Sequence, residues 1–213
     1  MRCVIISAGS VAPCLKEQIR ADDVIIACDA GYKNAEKLGV KPQIILGDFD
    51  SAPVPQRSDV LILPRVKDDT DTHYAAKLAV EKGFQSVLML GALGGARLEH
   101  TLANLSTGLW LCKQGIQVCI MDEHSRIQFL QSGQTLYLPH EPQEYYSVFP
   151  AEGRAEGVCQ TGAKYCLQNA ILTAEYPLGV SNETEQGGAT ITAGNGALMV
   201  ICTRKDNQTN ATF

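Results

Sequence analysis

The sequence lacks any apolar run that approaches the roughly 20 residues of a membrane-spanning helix. Its first apolar stretch, within MRCVIISAGS, has four residues, too few for the core of a signal peptide. Positive charge is not in excess either, because 18 Lys and Arg stand against 23 Asp and Glu, and proteins that bind nucleic acid or acidic membranes usually present a basic face. We therefore expect a cytoplasmic protein with no nucleic-acid partner and no membrane partner.

Paired cysteine motifs are also absent. None of the eight cysteines forms a Cys-x-x-Cys pair, and most lie inside apolar runs such as VIIAC and QVCIM. This pattern favours buried, reduced thiols over a disulfide framework or a zinc site. What is present is a 213-residue chain with 45% hydrophobic residues, long enough for one large domain or two small ones.

Short apolar runs alternate with helical patterns over residues 1–124. The runs suit strands buried on both faces of a parallel sheet, and they lie at residues 3–6, 24–28, 43–46, 60–63, 86–90 and 117–121. Three helical patterns lie between them and end at Gly39, Gly83 and Gly115, and the second starts at a Thr70/Asp71 cap signal. We expect an α/β domain with a Rossmann-like, layered, mostly parallel sheet over 1–124.

The pattern changes at about residue 125. From there, short β-rich runs such as RIQFL, QTLYL, YYSVF, ATIT and ALMVICT are separated by Gly, Pro and Asn, and no helical period is visible. This predicts an all-β domain over residues 125–213.

Two carboxylates, Asp48 and Asp50, follow the apolar run IIL in IILGDFDSAP. Two residues apart on an extended backbone, their side chains leave on the same side, at the strand end where ligands bind in open α/β sheets. Like charges held together favour a cation between them, and hard carboxylate oxygens suit Mg²⁺. A plain turn, in which Asp and Gly are common, is the alternative interpretation.

A second acidic cluster follows the next strand, in RVKDDTDTHYAAKLA. Asp68, Asp69 and Asp71 open a helix there, where the helix dipole alone would favour acids. Three acids in four positions exceed what capping requires, so we expect both clusters to form one metal pocket. Lys67 and Arg65 would supply positive charge for phosphate oxygens.

A glycine-rich loop, GALGGARLEH, follows the fifth strand. Gly91, Gly94 and Gly95 would let backbone amides approach a phosphate before the next helix, although close packing of strand and helix also calls for glycine. No G-K-[ST] follows, so this is not a Walker loop. Together the strand ends predict a site for Mg²⁺ and a polyphosphate.

Four segments in order resemble the thiamine pyrophosphokinase (thiamine diphosphokinase) family. They are CDAGYKNAEKLGVKPQIILGDFDS, KDDTDTHYAAKLA, GALGGARLEHTLANL and YPLGVSNE, and the likeness runs over roughly residues 24–201. The resemblance implies transfer of the pyrophosphoryl group of ATP to thiamine, giving thiamine diphosphate and AMP. It also implies an α/β catalytic domain followed by a β-sandwich domain, in a homodimer that binds thiamine between its subunits.

The resemblance also assigns site residues. The implied catalytic acids are Asp48, Asp50, Asp68 and Asp71, of which Asp48, Asp50 and Asp71 would hold Mg²⁺. The implied ATP-binding residues are Asp29, Lys67, Thr70, Gly94, Gly95, Arg97 and His100. Thiamine would contact Tyr165, Ser181, Asn182 and Asp71, with Tyr165 at a position where the family often has Trp. A tyrosine ring stacks on a cationic ligand less strongly than Trp does.

The sequence departs from the family pattern in two places. Val66 occupies the first acidic position of D-x-D-x-T-D, so any role of that carboxylate is absent. The G-G-R-x-D-H stretch is GGARLEH here, with one extra residue and with Glu99 in place of Asp.

Two other functions fit parts of this pattern. A haloacid-dehalogenase-type phosphatase also has D-x-D after an apolar strand, but it requires a downstream Lys and an acidic pair after a later strand, where this chain offers Asp122 and Glu123. A non-catalytic nucleotide sensor would have no need of five carboxylates at two strand ends. Formation of AMP from ATP and thiamine distinguishes the three.

Overall fold

The structure is a computed structural model that describes residues 1–50, 53–57 and 60–205. The chain divides into two compact units, an amino-terminal unit, Met1–Glu123, and a carboxy-terminal unit that begins at His124. Across the described ranges, no helix is long and apolar enough to cross a membrane.

The amino-terminal unit is a parallel sheet with helices between its strands. Its strands are β1 (Arg2–Ile6), β2 (Val24–Cys28), β3 (Ile44–Gly47), β4 (Val60–Ile62), β5 (Ser86–Leu90) and β6 (Gln117–Met121), in the order β4-β3-β2-β1-β5-β6. Its helices are α1 (Gly31–Lys37), α2 (Asp71–Glu81) and α3 (Leu98–Lys113), with a 3-10 helix at Pro13–Gln18. The predicted α/β class is confirmed, and the 3-10 helix is an addition that the sequence did not signal.

The strand β1 lies at the centre of this sheet, paired with β2 on one side and β5 on the other. Val4 and Ile5 are both completely buried, and since successive side chains of a strand point to opposite faces, both faces must be covered. Val4 packs in a cluster with Ala35 and Leu38 at α1, while α2 packs against β1, β2 and β3. This two-sided burial is why the strands read as continuous apolar runs.

The strand order reverses between β1 and β5. From β1 the chain moves outward through β2, β3 and β4, and then returns to place β5 on the other side of β1. A crevice opens at such a switch point, outside the carboxyl ends of the strands. The loops after β1, β3, β4 and β5 therefore meet at one edge.

The helix that carries the second acidic cluster begins as the sequence predicted. Thr70 is the N-cap of α2, and its hydroxyl oxygen accepts a hydrogen bond from the His73 amide at 3.1 Å. The cap fixes the first turn of the helix. Asp71, the first residue of α2, therefore lies at the carboxyl edge of the sheet.

The carboxy-terminal unit is an antiparallel β-sandwich. Its strands are β7 (Ser125–Leu130), β8 (Thr135–Leu138), β9 (Glu144–Pro150), β10 (Arg154–Thr161), β11 (Leu167–Thr173), β12 (Ala189–Thr192) and β13 (Leu198–Arg204). Within it β13 pairs with β7 and β9, and a separate four-stranded sheet runs β11-β10-β12-β8. One core cluster includes Val148 and Val200 from the first group and Leu172 and Ile191 from the second. The predicted all-β sandwich is confirmed.

The sequence analysis did not predict the strand β10. Its segment RAEGVCQT has a glutamate and a glycine in the middle, which break the alternation of apolar and polar residues. The pairing with β11 shifts register between Ala155 and Val158, and Gly157, at φ 69°, lies within that irregularity. A bulge restores the burial of Ala155 and Val158 on one face, which no alternation rule anticipates.

Candidate active site

A cavity of about 780 Å³ lies in the amino-terminal unit, at the carboxyl edge of its sheet. Ten residues assigned from the sequence line it: Asp29, Asp48, Asp50, Lys67, Thr70, Asp71, Gly94, Gly95, Arg97 and His100. Asp68 is exposed and is not among the lining residues, whereas its neighbour Asp69 is. The catalytic role of Asp68 remains a prediction from the resemblance.

A second cavity, of about 410 Å³, lies at the amino ends of β1, β5 and β6. Its most buried cation, Arg2, is already paired, because its Nε donates to Asp23 Oδ1 at 2.9 Å. This opposite edge holds none of the acidic or glycine motifs and is not the candidate site.

The backbone around Phe49 sets the direction of the first two acids. Phe49 has a φ of 52° and is 7% exposed, with its ring packed in a cluster with Ala27 and Ile45. While this ring enters the core, Asp48 and Asp50 on either side of it line the cavity. The Asp50 amide donates to Asp48 Oδ1 at 3.2 Å, which closes the turn.

The ammonium group of Lys67 lies between two carboxylates. Its Nζ donates to Asp48 Oδ2 at 2.7 Å and lies 3.0 Å from Asp71 Oδ1. The latter contact has ion-pair distance without hydrogen-bond geometry, so among the described residues Asp71 Oδ1 accepts no hydrogen bond. Burial alone would lower the pKa of Lys67, but the two acids outweigh it and the pKa is raised.

Asp48 and Asp71 share the Lys67 cation, but their pKa values are shifted in opposite directions. The hydrogen bond from Lys67 lowers the pKa of Asp48 below its usual range. Burial raises the pKa of Asp71, and the negative charges of Asp48 and Asp29 raise it further, so that Lys67 offsets the shift only in part. Asp71 is therefore the more basic of the two carboxylates.

The neighbouring acid Asp69 is held away from this pair. Lys77, two turns into α2, donates to both carboxylate oxygens of Asp69, at 2.9 and 2.7 Å. Val66, which occupies an acidic position of the family pattern, is 95% exposed. Of the second acidic cluster, Asp69 and Asp71 both line the cavity, and Asp71 is the one that shares Lys67 with Asp48.

The glycine loop after β5 presents open backbone to the cavity. Gly94 and Gly95 have φ values of 70° and 85°, are exposed, and have no other group within contact of an added Cβ. Asn104 Nδ2 in α3 donates to the Ala92 carbonyl at 2.7 Å and anchors the base of the loop. Arg97, 71% exposed in its side chain, donates to Glu99 at 2.7 Å.

A loop after β1, Ser7–Ser10, also lines the cavity and was missed. The Gly9 amide donates to the Gly91 carbonyl at 2.9 Å, and any side chain at Gly91 would collide with Ser7 and Gly9 carbonyls. From α1, Asn34 Nδ2 donates to the Ser7 carbonyl at 2.9 Å and to the Gly9 carbonyl at 2.6 Å. The signal available in the sequence was SAGS, small polar residues directly after an apolar run.

The acids fit a Mg²⁺ ion that also binds phosphate. Among residues 1–50, 53–57 and 60–205, no three side chains of His, Cys, Asp or Glu are grouped closely enough to hold a metal by themselves. Asp48 and Asp71 nevertheless converge on a single cation, the ammonium of Lys67. Mg²⁺ is usually bound by one or two carboxylates, with substrate phosphates and water completing its octahedron.

Apart from Asp71, the residues assigned to thiamine lie in the carboxy-terminal unit. Tyr165 lies between β10 and β11 and is 62% exposed. Ser181 has a φ of 57°, and its amide donates to Ser147 Oγ at 3.0 Å. Asn182 is 5% exposed, whereas Tyr165 is largely exposed. The side-chain oxygen and nitrogen of Asn182 both form hydrogen bonds within the protein.

The amino-terminal unit is an α/β sheet with a cavity of acids, basic side chains and a glycine loop at its carboxyl edge, an arrangement that suits a polyphosphate ligand. The model of the thiamin pyrophosphokinase catalytic domain matches residues 15–120, and that of the thiamin pyrophosphokinase vitamin B1 binding domain matches residues 133–198. The chain belongs to the thiamin pyrophosphokinase family, whose known reaction transfers the pyrophosphoryl group of ATP to thiamine.

Individual relatives agree with this assignment. The chain is 28% identical over 183 residues to the thiamine pyrophosphokinase of Bacillus subtilis (strain 168), covering 83% of this chain and 85% of that protein. A crystal structure of the thiamine pyrophosphokinase from Bacillus subtilis has the same fold, with a TM-score of 0.86, 24% identity and coverage of 97% and 100%. The crystal structure of the thiamin pyrophosphokinase from Geobacillus thermodenitrificans is similar as well, with a TM-score of 0.83 and 25% identity. The match covers 97% of this chain and 99% of that one.

The state of Asp71 leads to a prediction about stability. A carboxyl whose pKa is raised by folding stabilises the fold while protonated, and this contribution is lost as the pH rises through the raised value. At neutral pH, ionised Asp71 therefore destabilises the protein. We expect Asp71→Asn, which keeps the shape without the charge, to raise the melting temperature at pH 7 in buffer with a chelator, while turnover is lost.

The matched control is Asp69→Asn, because the Asp69 carboxylate has a partner of its own in Lys77. This variant is expected to melt at or slightly below the temperature of the parent protein. A melting temperature of Asp71→Asn below that of the parent at pH 7 would contradict the conclusion that the ionised Asp71 carboxylate destabilises the fold.

Proposed function

We propose that this chain carries out the pyrophosphoryl transfer with Mg²⁺, in the cavity at the carboxyl edge of its parallel sheet. The observation that carries the proposal is the convergence of Asp48 and Asp71, from two different strand ends, on a single cation position. Mg²⁺ bound by these acids in the cavity, in addition to Lys67, would neutralise charge on the phosphate oxygens of ATP. Asp50, which shares the turn with Asp48, is the proposed third acid of the set.

The acids divide the work according to their environments. Asp48, with its lowered pKa, stays ionised and suits a cation ligand. Asp71, with its raised pKa, is the better proton acceptor, so we assign it to orient the thiamine hydroxyl and take its proton. In that step the thiamine oxygen bonds to the β-phosphorus, the bond from the β-phosphorus to the oxygen bridging the α- and β-phosphates breaks, and AMP leaves.

The remaining cavity residues are suited to hold the triphosphate. The amides of Gly94 and Gly95 are open to the cavity, and the Ser7–Ser10 loop lies opposite them at the switch point. Arg65 and Lys67 supply positive charge beside Asp48. Such a site works chiefly by positioning and charge neutralisation, as phosphoryl-transfer sites do.

We assign the two domains, residues 1–124 and 125–213, to ATP with Mg²⁺ and to thiamine respectively. The exposed ring of Tyr165 is the proposed stacking face for the thiamine pyrimidine, and Ser181 is a further proposed thiamine contact. The proposed assembly is a homodimer in which each thiamine site draws on both subunits. A cytoplasmic location is proposed as well, supported by the eight cysteines, which are all free thiols.

The direct test is turnover. With ATP, thiamine and Mg²⁺ the protein is expected to form AMP and thiamine diphosphate in equal amounts, and chelation of Mg²⁺ should stop both. Asp48→Asn should lower kcat by about 100-fold or more, because it removes charge that faces the phosphates.

Asp22→Asn is the matched control for this test. It makes the same substitution at an exposed position on the opposite edge of the sheet, and its kcat should equal that of the parent. Release of inorganic phosphate in place of AMP, or a normal rate for Asp48→Asn at saturating Mg²⁺, would refute the proposal.

A further prediction concerns the role of Tyr165 in thiamine binding. Loss of a stacked ring should weaken thiamine binding by roughly 1 kcal/mol, a several-fold rise in KM for thiamine in Tyr165→Ala, with KM for ATP unchanged. Tyr165→Trp should bind thiamine at least as well as the parent. Tyr176→Ala, which removes a similarly exposed ring of the same unit, is the control and should leave both KM values unchanged.

A lower melting temperature of Tyr165→Ala with an unaltered thiamine KM would return this ring to a purely structural role. Melting curves recorded beside the steady-state kinetics in both substrates separate the two outcomes.

The shared site predicts complementation between subunits that carry different defects. Asp48→Asn lacks a functional acid and Tyr165→Ala lacks the stacking ring, so a hybrid dimer would hold one site with neither defect. Mixing the two variants at low thiamine should therefore give more activity than the sum of the separate proteins. Sedimentation that shows a fully active monomer at assay concentration would exclude the shared site.

A further inference from the structure

The side chain of Asn182 is embedded in a polar network inside the carboxy-terminal unit. Its Nδ2 donates to the Tyr146 hydroxyl at 2.9 Å, to Gln160 Oε1 at 3.1 Å and to the Tyr165 carbonyl at 2.8 Å. Its Oδ1 accepts from the amides of Tyr165, at 3.0 Å, and Glu183, at 2.9 Å. Two amide hydrogens face three acceptors, so no donor is left for a ligand.

The contacts with Tyr165 are of a particular kind. Asn182 accepts from the backbone N–H of Tyr165 and donates to the backbone C=O of the same residue. One side-chain amide thereby does for Tyr165 what a neighbouring strand does within a sheet. The backbone of Tyr165 is fixed at both its polar groups, while its ring remains 62% exposed.

Asn182 is itself rigidly anchored. Its amide donates to the Tyr146 carbonyl at 2.8 Å and its carbonyl accepts from the Tyr146 amide at 2.9 Å, which ties it to β9. Tyr146 and Gln160 are 2% and 1% exposed, and the Tyr146 hydroxyl donates to Gln160 at 3.0 Å. The side-chain amide of Asn182 is thus held at a position bridged to β9, within a satisfied buried network, and reaches one residue of the loop between β10 and β11.

We propose that Asn182 is a positioning residue that acts through Tyr165, and that it does not itself contact thiamine. By holding both backbone groups of Tyr165, it fixes the direction in which the exposed ring faces the substrate. The inference rests on the proposed role of Tyr165 in binding thiamine. It reassigns Asn182 from the thiamine contact that the sequence resemblance implied to a support one residue removed from the ligand.

The test combines amide exchange with kinetics. In Asn182→Ala, the Tyr165 amide loses its acceptor, so its hydrogen exchange measured by NMR should accelerate at least tenfold. KM for thiamine should rise several-fold, with kcat within twofold of the parent and KM for ATP unchanged. In the double variant with Tyr165→Ala, KM for thiamine should equal that of Tyr165→Ala alone, because both changes remove the same contact.

Tyr146→Phe is the matched control. It removes a hydroxyl from the same buried network and so should lower the melting temperature, yet it leaves the two bonds between Asn182 and Tyr165 in place. Its Tyr165 amide should stay protected and its thiamine KM should not change. If Asn182→Ala does not fold, Asn182→Ser replaces it, since a serine hydroxyl cannot span both backbone groups of Tyr165.

Two results would overturn the inference. Additive effects of Asn182→Ala and Tyr165→Ala on thiamine KM would show that Asn182 contacts the ligand independently. Unchanged exchange of the Tyr165 amide in a folded Asn182 variant would show that the loop does not depend on it. Failure of the proposed function looks different, because Tyr165→Ala itself would then leave thiamine KM unchanged, and exchange alone would decide for or against the support of Tyr165 by Asn182.

Discussion

The pairing of Asp48 and Asp71 with one shared cation, Lys67, is the interaction on which the acidic edge of the amino-terminal unit depends. The two acids come from the ends of different strands, and the parallel order of the sheet forces those ends to the same edge. Lys67 bridges them, and the cap at Thr70 holds the start of the helix that carries Asp71. An interior optimised for stability alone would not bury a carboxylate beside two others, so this edge carries the cost of function.

Three buried asparagines each hold a loop segment to which a function is assigned. Asn34 fixes the loop after β1, Asn104 fixes the loop after β5, and Asn182 fixes the residue that presents an exposed ring. Each is 5–6% exposed and each donates to backbone carbonyls. An amide suits this task because it satisfies backbone groups without adding a charge to a site that already has an excess of acids.

The features that the sequence revealed are those written in local patterns. Continuous apolar runs marked the strands of the parallel sheet, and Thr70 marked the start of α2, because burial on two faces and capping each leave a signature within a few residues. The bridge from Lys67 to Asp48 spans 19 residues, and the bonds from Asn34 span 25 and 27, so they depend on how distant segments meet. Asp69 lines the cavity and Asp68 does not. This difference depends on the local direction of the backbone, which the order of residue types does not reveal.

The placement of Phe49 has a consequence for which residues can replace it in this chain. Its left-handed backbone would suit glycine, which would relieve on the order of 1–2 kcal/mol, but its buried ring is worth about 3–5 kcal/mol against removal. Because burial of the ring outweighs the backbone strain, phenylalanine is more stabilising than glycine at this position even though the strain persists. The residue between the two acids is therefore not a neutral spacer, and a laboratory search for stabilising substitutions there would act on the geometry of the acids at the same time.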